Sequence, residues 1–285
     1  MGSVALVTDS TAYLPPALVE QYKISVIPLY VRFGEEVFRD GVDMKPHYFY
    51  ARLPTVTPQT FPATSQPSAG DFIALYRKLV AEGASAILSI HISSKLSGTV
   101  PSALLAQDEV PEVPIHVVDS LSTAMGLGYQ VLEAARGLEA GRPVEEVIRS
   151  VESVRERIRI LFVVDTLEFL HKGGRIGGAA AFLGSLLSLK PLLTLKEGHV
   201  DAVERVRMKR RAIQRALDLL SAEVAGRPVR AATIHADAPD EAAQVAQEVQ
   251  ARLDCREHHI VELSPAIGTH TGPGTIGLVV LPLQG

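Results

Sequence analysis

A chain of 285 residues, 47% of them apolar, is long enough for two domains or one large one and buries a substantial core. A net charge of −4, aromatics at 5% and no tryptophan speak against nucleic-acid binding or base stacking as the main role. Cys255 is the one cysteine, which excludes internal disulfides and a multi-cysteine metal site and points to the cytoplasm; no apolar run approaches the roughly 18 residues of a membrane helix.

The chain opens MGSVALVTDS, with no basic leader, so no signal peptide is expected. Residues 4–7 read as a buried strand ending in the polar turn Thr8-Asp9-Ser10-Thr11. Pro15 and Pro16 open a helix to residue 22, and the β-branched run 24–33 predicts one strand closed by Gly34-Glu35-Glu36. Pro46 starts a short helix to Leu53, and residues 54–68, rich in proline, serine and threonine, read as loop. Apolar residues at helical spacing mark 69–82, with Gly83 as the stop. A strand at 86–92 leads into Ser93-Ser94-Lys95-Leu96-Ser97-Gly98-Thr99 and a helix at 99–107. Residues 115–118 form another strand ending in Asp119-Ser120, followed by helices at 126–140 and 143–157. Strands alternating with helices predict an α/β domain over 1–158, a mostly parallel sheet with helices on both faces.

A second domain, 159–285, begins with a strand at 160–164, the glycine-containing stretch DTLEFLHKGGRIGG and an apolar helix at 179–189. Residues 192–196 and 200–206 read as a β-hairpin, a feature not expected in the first half. Helices at 210–224 and 238–253 alternate with strands at 229–235 and 258–263, and a glycine-rich loop, 268–274, precedes a last strand at 275–281. This predicts an α+β sandwich with its helices on one side.

Hydroxyl-rich turns recur at predicted strand ends or helix starts: 9–11, 64–68, 93–102 and 119–122. In an open α/β sheet, ligands bind outside the carboxyl ends of the strands. Hydroxyls there, with a glycine that admits backbone N–H groups, suit an anionic oxygen. Serine, threonine and aspartate are also good helix caps, so each turn alone has an architectural reading as well. Ser97 is not a nucleophile elbow, because Lys95-Leu96-Ser97-Gly98-Thr99 lacks the first glycine of G-x-S-x-G, and the spacing pairs none of His91, His235 and His270 with it. His171-Lys172-Gly173-Gly174-Arg175 lacks phosphate-loop spacing but places Arg175 on a glycine turn, where it is either solvated or aimed at an anion. His270 lies among glycines before the last strand, and the run 205–211 carries five positive charges, a solvated face or a docking patch for an acidic partner. No metal ligands and no catalytic set are evident.

Taken together, TDSTAYLP (8–15), TSQPS (64–68), SSKLSGT (93–99), DTLEFLHKGGRI (165–176), LKPLL (189–193), RMKRRAI (207–213) and GPGTIG (272–277) resemble, in this order, the motifs of DegV proteins. The chain is similar to the fatty-acid-binding subunits of bacterial fatty acid kinase. That resemblance implies a two-domain DegV-like fold with one long-chain fatty acid, such as palmitate or oleate, buried in the interdomain cleft and no other cofactor. It implies carboxylate ligands at Thr64 and Ser97, with Arg175 and His270 corresponding to the glycine-loop arginine and late histidine. It also implies a partner kinase that phosphorylates the bound carboxylate, and a place in phospholipid metabolism; for such a kinase the basic run offers Arg207, Lys209, Arg210 and Arg211 as a docking patch. The sequence departs from the family pattern at Thr99-Val100-Pro101 and at His171. A different reading is an enzyme: a serine hydrolase, or a small-molecule kinase acting on acyl or polyol substrates.

Overall fold

A computed structural model of the protein describes residues 3–184 and 189–283. They divide into two compact units, residues 1–44 with 62–156 and residues 45–61 with 157–285. Segment 45–61 counts with the later half because its helix Pro46–Arg52 packs against the helix Pro265–Thr271, and Tyr50 donates its hydroxyl to the Leu263 carbonyl at 3.0 Å. Contacts over such a sequence separation leave no local signal.

The strands of the first unit are β1 (Ser3–Asp9), β2 (Ser25–Ile27), β3 (Tyr30–Phe33), β4 (Glu36–Arg39), β5 (Ala63–Ser65), β6 (Ala84–His91) and β7 (Ile115–Asp119). Four of them form an all-parallel sheet in the order β2-β1-β6-β7. Val7, Ile87 and Ile115 share a core with Phe72 and Tyr76 of the helix Ala69–Ala81 and with Ala103 and Ala106 of the helix Thr99–Asp108. Successive strand residues face opposite ways. Leu6, Leu88 and Ile90 are nevertheless buried too, and the helix Met125–Glu139 packs against β1 and β6. Both faces are therefore covered, as a parallel sheet requires. The winding reverses between β1 and β6, which makes the carboxyl ends of this pair the topological switch point.

The single strand expected over 24–33 is two strands in two sheets. Pro28 lacks an N–H for a ladder, and beyond it the chain leaves the parallel sheet for a three-stranded antiparallel one, β4-β3-β5. β3 and β4 form a hairpin around Gly34, at φ 61°, so hairpins are not confined to the second half. β5 lies inside the segment read as loop, a three-residue strand defined by its pairing with β3 and not by its own composition.

In the second unit, β8 (Arg159–Val163), β9 (Lys190–Lys196), β10 (His199–Val206), β11 (Val229–His235), β12 (Cys255–Glu262) and β13 (Ile276–Pro282) form one mixed sheet, β10-β9-β8-β13-β11-β12. Only β11 and β12 run parallel; β9 and β10 are the predicted hairpin. The helices Lys209–Val224 and Pro239–Arg252 bury Leu217, Leu220, Val245 and Val249 against Leu161, Ala231 and Leu278 of the sheet.

Two local expectations fail here. The glycine-rich loop at 268–274 is largely helix: Pro265 pre-sets the first turn of Pro265–Thr271, and Gly272 at φ 74° ends it. In place of an apolar helix at 179–189 there is a short 3-10 helix, Gly177–Phe182; residues 185–188 of that expectation lie outside the described residues. Among the described residues no helix is long and apolar enough to cross a membrane.

Candidate functional site

The turn that leaves β6 at the switch point is tied down one backbone group at a time. Ile92 N–H donates to Asp9 Oδ2 at 2.8 Å, Ser93 N–H to the Ser122 carbonyl at 2.8 Å, and Ser94 N–H to the Asp119 carboxylate at 3.2 and 3.3 Å. Ser93 Oγ accepts from Lys95 N–H at 3.2 Å, and the Ser93 carbonyl accepts from Leu96 and Ser97 N–H at 2.9 and 3.1 Å. Ser93 is thus a buried turn-former, as is Ser120 in the adjacent loop, and half-buried Asp119 at the end of β7 accepts from Leu121 N–H at 3.0 Å in the same way. Ser97 differs: it is half-buried, just ahead of the helix Thr99–Asp108, and its Oγ lies 2.8 Å from Thr99 Oγ1.

Thr64 occupies the middle of β5, opposite Val31 of β3, and is also half-buried. Two residues on, the Gln66 side chain lies over Gly98, where a Cβ would come within 3.0 Å of Gln66 Cδ. The loop bearing Thr64 and the turn bearing Ser97 therefore meet, through the Gln66 side chain at Gly98. Other hydroxyls of these motifs are architectural. Ser68 and Asp71 form a capping box for the helix Ala69–Ala81, and Ser10 Oγ donates to Asp40 at 2.6 Å.

The structure does assemble a serine, a histidine and an aspartate, but not at Ser97. His91 Nδ1 lies 3.1 Å from Asp9 Oδ2 and Nε2 lies 2.7 Å from Ser89 Oγ, which in turn accepts from Tyr76 OH at 2.8 Å. All four side chains are fully buried, so Ser89 has no access to a substrate. Burial raises the Tyr76 hydroxyl well above the usual tyrosine range, with the Ser89 bond opposing it. The S-x-H spacing on one strand face was the available signal for this cluster; only the fold shows that Asp9, 82 residues earlier, completes it. Among the described residues no group of three or more His, Cys, Asp or Glu side chains is placed to hold a metal ion.

Arg175 and His270 both lie in the second unit. Arg175 folds back so that Nη1 donates to the Gly173 carbonyl at 2.7 Å. A Cβ on Gly173 would fall 2.1 Å from His270 Nδ1, so this glycine makes room for the imidazole. Burial first, and the nearby Arg175 guanidinium second, lower the His270 pKa from the ordinary 6.5 to about 4. His270 is therefore neutral in the fold at pH 7. Between pH 6.5 and 4 the unfolded chain takes up a proton at this position that the folded chain refuses, so stability present above 6.5 is lost as pH falls. We expect the wild-type protein to lose up to about 3 kcal/mol more than His270→Gln across that window in urea unfolding series. Parallel pH profiles for the two proteins would remove His270 as the cause.

In the basic run, Arg205 donates to the Ala181 carbonyl and stacks on Phe182, and Lys209 pairs with Glu241 at 2.5 Å. Arg207, Arg210 and Arg211 are exposed. Lys209 to Arg211 form the first turn of a 16-residue helix that has no acidic residue there, an arrangement the helix dipole disfavours.

The chain as a whole resembles known proteins. The family model described as "Uncharacterised protein, DegV family" matches residues 3–283. A DegV domain-containing protein of Streptomyces coelicolor is 40% identical over 278 residues, 97% of this chain and 98% of the relative. Among solved structures, a DegV family protein from Thermus thermophilus described by its fatty acid binding superposes with a TM-score of 0.93 at 42% identity, covering 99% of this chain and 100% of its own. DegV of Bacillus subtilis, a fatty acid binding protein, follows at TM-score 0.91 and 36% identity, covering 99% of this chain and 100% of its own.

Proposed function

Since the chain belongs to the DegV family, we propose that it binds a long-chain fatty acid, its carboxylate held by the Thr64 and Ser97 hydroxyls. The observation that carries this reading is the seat of Gln66 on Gly98, which joins two loops bearing half-buried hydroxyls at the carboxyl end of a parallel sheet. It is supported by whole-chain likeness to structures that bind fatty acids. Each buried methylene contributes roughly 0.8 kcal/mol, so a long acyl chain supplies most of the affinity. The carboxylate is costly to bury without donors, and hydroxyls that donate to it offset that cost. Arg175 and His270 enter the proposal through the resemblance as further carboxylate contacts, a neutral imidazole serving as donor through its N–H.

We extend the proposal to presentation: the bound carboxylate is offered to a partner kinase for acyl-phosphate formation, the protein itself supplying no catalytic group. Exposed Arg207, Arg210 and Arg211 support a docking role, since cations at the start of a helix do not serve stability.

Mass spectrometry of an organic extract from purified protein tests the binding reading. A co-purifying long-chain fatty acid, or uptake of added palmitate or oleate, is expected; neither occurring would overturn it. Ester hydrolysis abolished by Ser97→Ala would instead favour a hydrolase. In the second arm, Arg207→Ala retains the lipid and slows its phosphorylation by a fatty acid kinase catalytic subunit, whereas loss of the lipid itself would show the patch is misplaced.

A further inference from the structure

We infer that Asp9 is the hub that sets the spacing between Thr64 and Ser97, an inference that rests on the carboxylate-binding reading of those two residues. Its carboxylate lies at the end of β1, fully buried at the switch point, and both oxygens are doubly occupied. Oδ2 accepts from Ile92 N–H at 2.8 Å and from His91 Nδ1 at 3.1 Å. Oδ1 accepts from Thr11 N–H at 3.0 Å and Thr11 Oγ1 at 2.6 Å. A carboxylate only accepts, so the His91 proton sits on Nδ1, and Nε2 is left to Ser89.

Each oxygen commands one arm. From Oδ2, Ile92 N–H is the last backbone donor before Ser93, whose carbonyl holds the Ser97 N–H at 3.1 Å. From Oδ1, Thr11 fixes the short 3-10 helix Ser10–Ala12, and there Ser10 Oγ accepts from Leu29 N–H at 3.1 Å while donating to Asp40 at 2.6 Å. Leu29 immediately precedes β3, and β3 carries Thr64 through the pairing of Val31 with Thr64. One carboxylate thus governs both where the Ser97 turn departs and where the sheet bearing Thr64 begins. His91 keeps that carboxylate from rotating. The imidazole is bonded on both nitrogens and meets the Phe72 ring edge-on at 5.0 Å.

Nothing about core stability asks for such a cluster, because a well-packed apolar set of the same volume is often as stable. What it supplies is alignment of two segments that belong to different sheets. Asp9 and Ser10 are positioning residues in this scheme, acting through the two hydroxyls.

The test uses Asp9→Asn, whose amide cannot accept at all four bonds, and Ser10→Ala, which cuts one arm and leaves the buried cluster intact should Asp9→Asn fail to fold. Ser10→Ala is expected to weaken palmitate binding about tenfold in the wild-type background and by less than about twofold when Thr64→Val and Ser97→Ala are already present, with Ser10→Thr restoring affinity. Equal weakening in both backgrounds, or none in either, overturns the inference. Amide hydrogen exchange supplies a readout that needs no lipid. Residues 63–65 should exchange at least about tenfold faster in Ser10→Ala, and residues 93–97 together with them in Asp9→Asn, with the helix Val144–Arg157 unchanged in both. No acceleration in those two segments sinks the hub even if the protein binds no fatty acid; acceleration without any lipid binding sinks the functional reading and leaves the hub standing.

Discussion

Thr64→Val together with Ser97→Ala should lower the affinity for a long-chain fatty acid at least about a hundredfold, because each substitution removes a hydrogen bond to a charged oxygen worth roughly 1.5–3 kcal/mol. The fold should survive. Valine keeps the branched shape of threonine and suits the centre of β5. Ser97→Ala deprives the buried Thr99 hydroxyl of its partner at 2.8 Å, a loss of about 1 kcal/mol in stability. Calorimetric titration with palmitate, beside thermal unfolding of the same preparations, separates the two effects. Undiminished affinity in the double variant would withdraw both residues from the site.

Gly173→Ala should destabilise the second unit and displace the His270 ring. Its Cβ would sit 2.1 Å from His270 Nδ1 and 3.1 Å from the Phe169 carbonyl, and His270 is only 9% exposed, so the ring has little room to retreat. Overpacking of this kind costs about 1–3 kcal/mol. The imidazole, pushed toward solvent, should regain part of the pKa that burial took from it, rising from about 4 toward 6.5. Gly174→Ala is the control. Nothing lies within 4 Å of its Cβ, and its penalty is confined to a left-handed φ of 69°, about 1 kcal/mol. Unfolding midpoints and NMR titration of the His270 ring follow both effects, and a Gly173→Ala protein as stable as wild type with an unmoved His270 would show that the close approach is not rigid.

The two units differ in how legible they were. The helices at 69–81, 209–224 and 239–252 and the hairpin β9–β10 were readable because each repeats its pattern over many residues or contains its own turn. β5 was not, nor was the division of 24–33 into β2 and β3, since strands of three and four residues are delimited by their neighbours. Pro265 and Gly272 mark the beginning and end of a helix, yet the density of glycine between 268 and 274 spoke for loop. The hydroxyl-rich turns are a mixed case. Composition marked the right strand ends but could not sort Ser93, Ser68 and Ser10, which hold backbone, from Ser97.

By itself the sequence determined the α/β character of the chain, the helix and strand periods of its longer elements, and, through motifs spread from residue 8 to residue 277, its family. These are local properties, or properties of order along the chain, and need no third dimension. Only the tertiary structure decided that Asp9 reaches His91 and Ile92, that Gln66 rests on Gly98, and that Gly173 yields its space to His270. Each of those relations joins residues from 32 to 97 positions apart, and hydrogen bonds and excluded volume act over a few ångströms of space, whatever the distance along the chain.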